Sequence, residues 1–188
     1  MTRIQKASVY LLSIFNILLI VLPLKTIMPW ILVETGQTTN DFAEGFYLTT
    51  IQTPEKLVKL SEVDWTLLSE TIAISSSILG ILPLFLSLFV LKAIFHNYKN
   101  GEIFSMENTR YYSRLGWLFF LNALLIKPIS DSLMVLAVTL SNPPGHRYIT
   151  IGFGTPNLEA IFCGIIVIVI SWVMSEASKL HNEQKYTI

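Results

Sequence analysis

Four long apolar runs alternate with shorter polar stretches along the chain. They cover residues 7–33, 66–95, 115–140 and 158–175, each near the length that crosses a membrane. A bilayer core about 30 Å thick needs about 20 helical residues. None of the runs shows the ten-residue alternation of a barrel strand. Arg3 and Lys6 precede the first run like the charged start of a signal peptide, but no small-x-small cleavage motif follows. The first run therefore reads as an uncleaved spanning helix.

The polar stretches carry their own signals. In the first, residues 34–65, positions 46–53 are rich in aromatic and β-branched types and stop at Pro54, which predicts a strand. Residues 54–64, with Leu57, Val58 and Leu60, predict a short helix. In residues 141–157 the turn signal Asn142-Pro143-Pro144-Gly145 leads into a second strand-like run, 147–153. Each strand alone would leave its backbone unpaired, so the two are expected to pair as a small outer sheet. The stretch 96–114 has a turn at Asn100-Gly101, and Ser105 as N-cap with Glu107 in the first turn. A helix then runs through Arg110, Tyr111 and Arg114 into the third span. The expected fold is an all-α integral membrane protein: a four-transmembrane-helix bundle with a small extracytoplasmic β element, forming one domain over residues 1–188.

Composition agrees with the pattern. Of 188 residues 52% are apolar and only 14% charged, against about 25% charged in an ordinary soluble domain. Mean hydropathy is +0.57. Thirteen basic and thirteen acidic residues leave no net charge, so no basic excess points to direct nucleic-acid binding. The lone Cys163 excludes an internal disulfide, and it reads as a packing residue beside Gly164. Orientation follows from basic residues in the flanks. Arg3, Lys6, Lys92, Lys99, Arg110, Arg114, Lys179 and Lys185 lie on one side; Lys56, Lys59 and Arg147 lie on the other. That bias places both termini and the 96–114 loop in the cytoplasm. Trp30 and Trp65 then fall at the outer interface and Trp117 and Trp172 at the inner one, as an aromatic belt requires.

Residues 100–108, Asn-Gly-Glu-Ile-Phe-Ser-Met-Glu-Asn, followed by Arg114-Leu-Gly-Trp117 and the terminal Glu183-Gln-Lys-Tyr-Thr-Ile188, form a set of short motifs. Together they resemble a bacterial family of small four-span inner-membrane proteins known only as a domain of unknown function. The resemblance implies location in the bacterial cytoplasmic membrane, no assigned catalytic residues, and genes that often neighbour small helix-turn-helix regulators. A membrane-side partner of a cytoplasmic regulatory protein is what it suggests.

Charge inside the spans is the remaining chemistry. Each such group costs on the order of 2.5–3.5 kcal/mol on insertion scales. Lys127 and Asp131 share one helix face at i, i+4. Lys25, Glu70 and Glu159 fall at similar depth in the other three spans, so the five could form an outward-facing polar pocket or a brace that sets helix register. Lys127 is expected inside the bundle, paired with Asp131, Glu159 or Glu70. Pro23, Pro83 and Pro128 are expected to kink their helices, with Ser130 or Ser132 serving the carbonyl of Leu124. Ser75-Ser76-Ser77 and Gly80 can bring helices close, and Asn16 and Asn122 are expected to hydrogen-bond between helices. Histidines 96, 146 and 181 all lie outside the spans, no metal-ligand spacing is present, and no nucleophile or phosphate-loop motif occurs. The expected protein is non-enzymatic and needs no cofactor. It contacts membrane lipid, and its cytoplasmic face of Glu107, Arg110 and Arg114 engages a regulatory protein or lipid headgroups. A small transporter, channel subunit or immunity factor using the charged pocket is the alternative.

The topology is testable directly. In a Cys163→Ser background, a single cysteine at position 100 should resist an impermeant thiol reagent in intact cells and label only after permeabilisation.

Overall fold

The computed structural model of the chain describes residues 2–34, 50–52, 57–59, 63–142 and 158–186. These residues form helices α1 (Arg3–Glu34), α2 (Leu67–Lys99), α3 (Met106–Leu121), α4 (Lys127–Ser141) and α5 (Leu158–Tyr186). A π-helical turn, Asn122–Ile126, carries α3 directly into α4. Four helical rods, α1, α2, α3 with α4, and α5, are long and apolar enough to cross a membrane. The fold is thus helical and multi-pass.

The expected outer sheet is corrected. Strands β1 (Thr50–Gln52) and β2 (Leu57–Lys59) pair antiparallel, with Ile51 opposite Val58. This is a local ladder of three residues a side, and β2 occupies the stretch read as a helix. Closing a short loop costs less chain entropy than pairing with a segment a hundred residues away. The other expected strand, 147–153, lies outside the described residues.

Prolines do not break the helices. Pro23 and Pro29 lie inside α1 and Pro83 inside α2. The irregularity predicted at Pro128 takes the form of the π turn just before it, where the ring cannot donate to the Leu124 carbonyl. Ser132 Oγ donates instead to the Pro128 carbonyl at 2.8 Å, and Ser87 Oγ to the Pro83 carbonyl at 2.7 Å.

By their contacts the chain divides into two compact units: Met1–Ile20 with Pro83–Leu124 and Asn157–Ile188, and Val21–Leu82 with Leu125–Pro156. The first is built on α3 against α5. A Cβ added to Gly116 would stand 2.6 Å from Ile168 Cγ1 and 2.9 Å from the Ile168 nitrogen. One added to Gly164 would stand 2.9 Å from the Phe120 nitrogen. The two backbones therefore touch, and only glycine fits at either point. Ser171 and Ser178 follow Gly164 at seven-residue steps and are also buried. They extend a stripe of small residues along one face of α5.

The second unit is built on α2 against α4. Ser76 Oγ donates to the Ser130 carbonyl at 2.6 Å, and Ser130 Oγ donates to the Ser76 carbonyl at 2.9 Å. A Cβ on Gly80 would meet Ser130 Oγ at 2.7 Å. Two to three turns away, Ser141 Oγ donates to Ser69 Oγ at 2.8 Å. Between these contacts lie buried Ala73, Met134, Ala137 and Val138, with Trp30 packed on the cluster. Trp65 meets Trp30 edge-on, ring centroids 5.3 Å apart. Sequence reading anticipated Ser76 and Gly80 as a close approach. It did not identify Ser130 as their partner.

Small polar residues thus share the interior with apolar ones, while many large apolar side chains face outward. Ser8, Ser69, Ser76, Ser87, Ser171 and Ser178 are almost fully buried, whereas Ile14, Ile17, Leu24, Phe89, Phe162 and Val173 are exposed. That inversion of a soluble core is what lipid solvent requires.

Candidate functional site

The most highly organised polar site lies in the turn between α2 and α3. The last turn of α2 closes through Asn100 N to the Asn97 carbonyl at 3.0 Å. Gly101 takes a φ of +88°, the left-handed conformation that glycine adopts freely. Ser105, extended at φ −120°, ψ 148°, then caps α3 by accepting from the Asn108 nitrogen at 3.2 Å. The cap and Glu107 in the first turn stand where the sequence places them.

Asn108 ties the turn together. It is fully buried, and its side chain makes three bonds. Its Oδ1 accepts from Asn97 Nδ2 at 2.9 Å, and its Nδ2 donates to the carbonyls of Glu102 at 2.7 Å and Ile103 at 3.0 Å. One amide thus bonds to the end of α2 and fixes the loop against the start of α3. The Tyr98 and Tyr112 hydroxyls, 2.7 Å apart, join the same two helices one turn on.

This frame presents side chains outward. Phe104 is 46% and Met106 44% exposed. Glu102, Glu107, Arg110 and Arg114, near them in sequence, are also exposed. Tyr111 donates to Glu107 Oε1 at 2.8 Å, and the Arg114 guanidinium lies 5.8 Å from the centre of the Tyr111 ring. The Phe104 ring lies 6.3 Å from that of His181 on α5. Gln5 of α1 approaches Gly101, its Nε2 being 3.5 Å from where a Cβ would stand. The start of α1, the turn and the end of α5 therefore meet at one end of the first unit.

Of the charges within the spans, Lys127 and Asp131 pair with each other but are exposed rather than buried. Lys127 and Asp131 form an ion pair along α4, as their spacing predicts. Their side chains are 59% and 55% exposed, so the pair lies on the outer surface of the helix and not inside the bundle. Pro128, Ser130 and Met134 on the same helix are buried, so exposed and buried side chains lie close together along α4. Lys25 is exposed and Glu70 half-buried in the same unit. Glu159 is exposed in the first turn of α5 and belongs to the other unit. Three further expectations change. Cys163 is exposed, and Gly164 beside it is the packed residue. Asn16 is exposed and its side chain makes no hydrogen bond among the described residues. Asn122 Oδ1 is buried within the π turn with no partner among the described residues. Ser130, read as a server of the Leu124 carbonyl, donates to Ser76 instead. Among the described residues no group of three His, Cys, Asp or Glu side chains is placed to hold a metal ion.

A family model described as Protein of unknown function (DUF2975) matches residues 30–188. The chain belongs to that family. The matched region contains the whole α2–α3 turn and both close helix pairs. No curated protein and no solved structure matches the chain. Within the DUF2975 chain, the motif 100–108 that carried the resemblance is the turn built on Asn108. Sequence reading singled out Ser105 and Glu107 but missed Asn108 and Phe104. The signal for Asn108 was present: an asparagine three residues after an N-cap serine and eleven after Asn97 stands where it can bridge both ends of a turn.

Asn108→Ala would strand the Asn97 amide and two loop carbonyls. Buried unsatisfied groups cost about 1–3 kcal/mol each. The variant should melt several degrees below wild type in detergent, and hydrogen exchange by mass spectrometry should rise chiefly over residues 97–106.

Proposed function

We propose that this DUF2975 protein is a non-enzymatic partner-binding protein of the bacterial cytoplasmic membrane, with both termini in the cytoplasm. Its α2–α3 turn docks a cytoplasmic regulatory protein. The observation that carries this reading is the buried, fully bonded Asn108 holding Phe104 and Met106 exposed between Glu102, Glu107 and Arg110. A surface held rigid before binding loses little conformational entropy when a partner arrives. Aromatic and methionine side chains framed by charge have the make-up of an interface core with its rim. The basic-residue bias of the flanks supports the cytoplasmic placement of this turn. The meeting of Gln5, the turn and His181 in one unit supports their lying on one side of the membrane, because a four-span chain brings both termini and its middle loop to the same side.

Arg110 and Arg114 also favour anionic headgroups, and photochemistry separates the two. A photoreactive phenylalanine analogue at position 104 should give, in living cells, an adduct with a cytoplasmic protein, a DNA-binding regulator among the candidates. The adduct should fall several-fold when Met106→Ala and Arg110→Ala are added. Adducts to lipid alone would contradict the docking role.

A further inference from the structure

The Lys127–Asp131 pair is incompletely satisfied. It interrupts the apolar run 115–140 near its middle, within the Met106–Ser141 rod, and both side chains are exposed. The ammonium has three donors and spends one, on Asp131 Oδ1. Among the described residues Asp131 accepts no other hydrogen bond. Exposed Leu124, Leu125 and Ile129 border the pair in sequence, so the surrounding surface is apolar. Neither head group can reach the aqueous interface from there, because a lysine stem is far shorter than half a bilayer and this one extends toward Asp131. Charged groups within a membrane face a protein interior, a water-filled space or a partner. On this chain they face outward.

We propose that a second copy of this chain covers the pair, forming a parallel two-fold dimer through α4. The pair is electrically neutral and bears both signs, so it complements itself. The Lys127 stem carries its ammonium along α4 to the depth of Asp131. All four head groups of two copies therefore lie at about one level. Two-fold symmetry then closes them into a ring of alternating charge, each ammonium between its own carboxylate and the partner's. The basic-residue bias gives every copy the same orientation, which makes the dimer parallel. Each copy supplies what the other lacks: donors for the remaining carboxylate oxygens and acceptors for the remaining ammonium protons. The α2–α4 contact runs through Ser130 and Ser76, whose mutual bonds use neither Lys127 nor Asp131. This inference does not depend on the docking role of the α2–α3 turn.

Single-molecule fluorescence in lipid vesicles measures the test without detergent competition. Wild type should dimerise, and Lys127→Met or Asp131→Asn should weaken association about tenfold, in keeping with a polar contact between helices in lipid. The charge-exchanged chain, Lys127→Asp with Asp131→Lys, should dimerise as wild type does. The deciding sample mixes an all-acid copy, Lys127→Asp, with an all-base copy, Asp131→Lys. Neither has a pair of its own, and they should prefer each other over themselves by tenfold or more. Circular dichroism and thermal melting of each variant confirm folding before association is read. A monomeric wild type, or random mixing of the acid and base copies, would overturn the proposal.

Discussion

Lipid removes the hydrophobic force that holds soluble helices together, because acyl chains are as apolar as leucine. Helices in a membrane must associate through close van der Waals contact and through hydrogen bonds across the interface. Both compact units of this protein obey that constraint. In one, Gly116 and Gly164 let the α3 and α5 backbones touch. In the other, Ser76 and Ser130 exchange hydroxyl-to-carbonyl bonds beside Gly80, and α2 and α4 meet along small residues from Ser69 to Gly80. The buried serines and the exposed isoleucines, leucines and phenylalanines are two consequences of one solvent.

The organisation of the α2–α3 turn follows from the same packing. Gly116 lies two turns along α3 from Asn108, so the approach that seats α3 on α5 also fixes the helix whose cap and buried amide define the turn. Asn108 then converts the short connection between Lys99 and Met106 into a rigid platform. Phe104 and Met106 are displayed because the frame leaves them no interior to enter. The contact of Phe104 with His181 adds α5 a second time, near its other end. Helix contact, turn geometry and displayed surface thus form one chain of dependence.

Much of this was legible from patterns that lie close together in sequence. Apolar run length gave the spans, Asn100-Gly101 gave the turn, and Ser105 with Glu107 gave the start of α3. The i, i+4 spacing gave the Lys127–Asp131 pair. What failed depended on direction or on distant partners. Whether Lys127 is exposed depends on which other parts of the chain approach α4, which spacing within one helix does not reveal. The β1 partner was sought in the wrong loop because β propensity in 147–153 outweighed the apolar triplet at Leu57–Lys59. Cys163 and Gly164 are neighbours of similar size, yet they point a hundred degrees apart on α5, and only one faces α3. Asn108 was passed over because asparagine near a cap is ordinary, and its three bonds exist only once the turn is closed.

The central claim is that backbone contact through small residues holds the helices and, through them, the turn. Thermal unfolding of Gly164→Val in mild detergent tests it most directly, with Cys163→Val one position away as control. A valine at 164 would overlap Phe120 backbone atoms, and forcing extra carbon into such a contact costs typically about 1–3 kcal/mol or more. Gly164→Val should lower the midpoint by several degrees and raise hydrogen exchange across the α2–α3 turn, while Cys163→Val leaves both near wild type. Equal midpoints for the two variants, with an unchanged turn, would contradict the account.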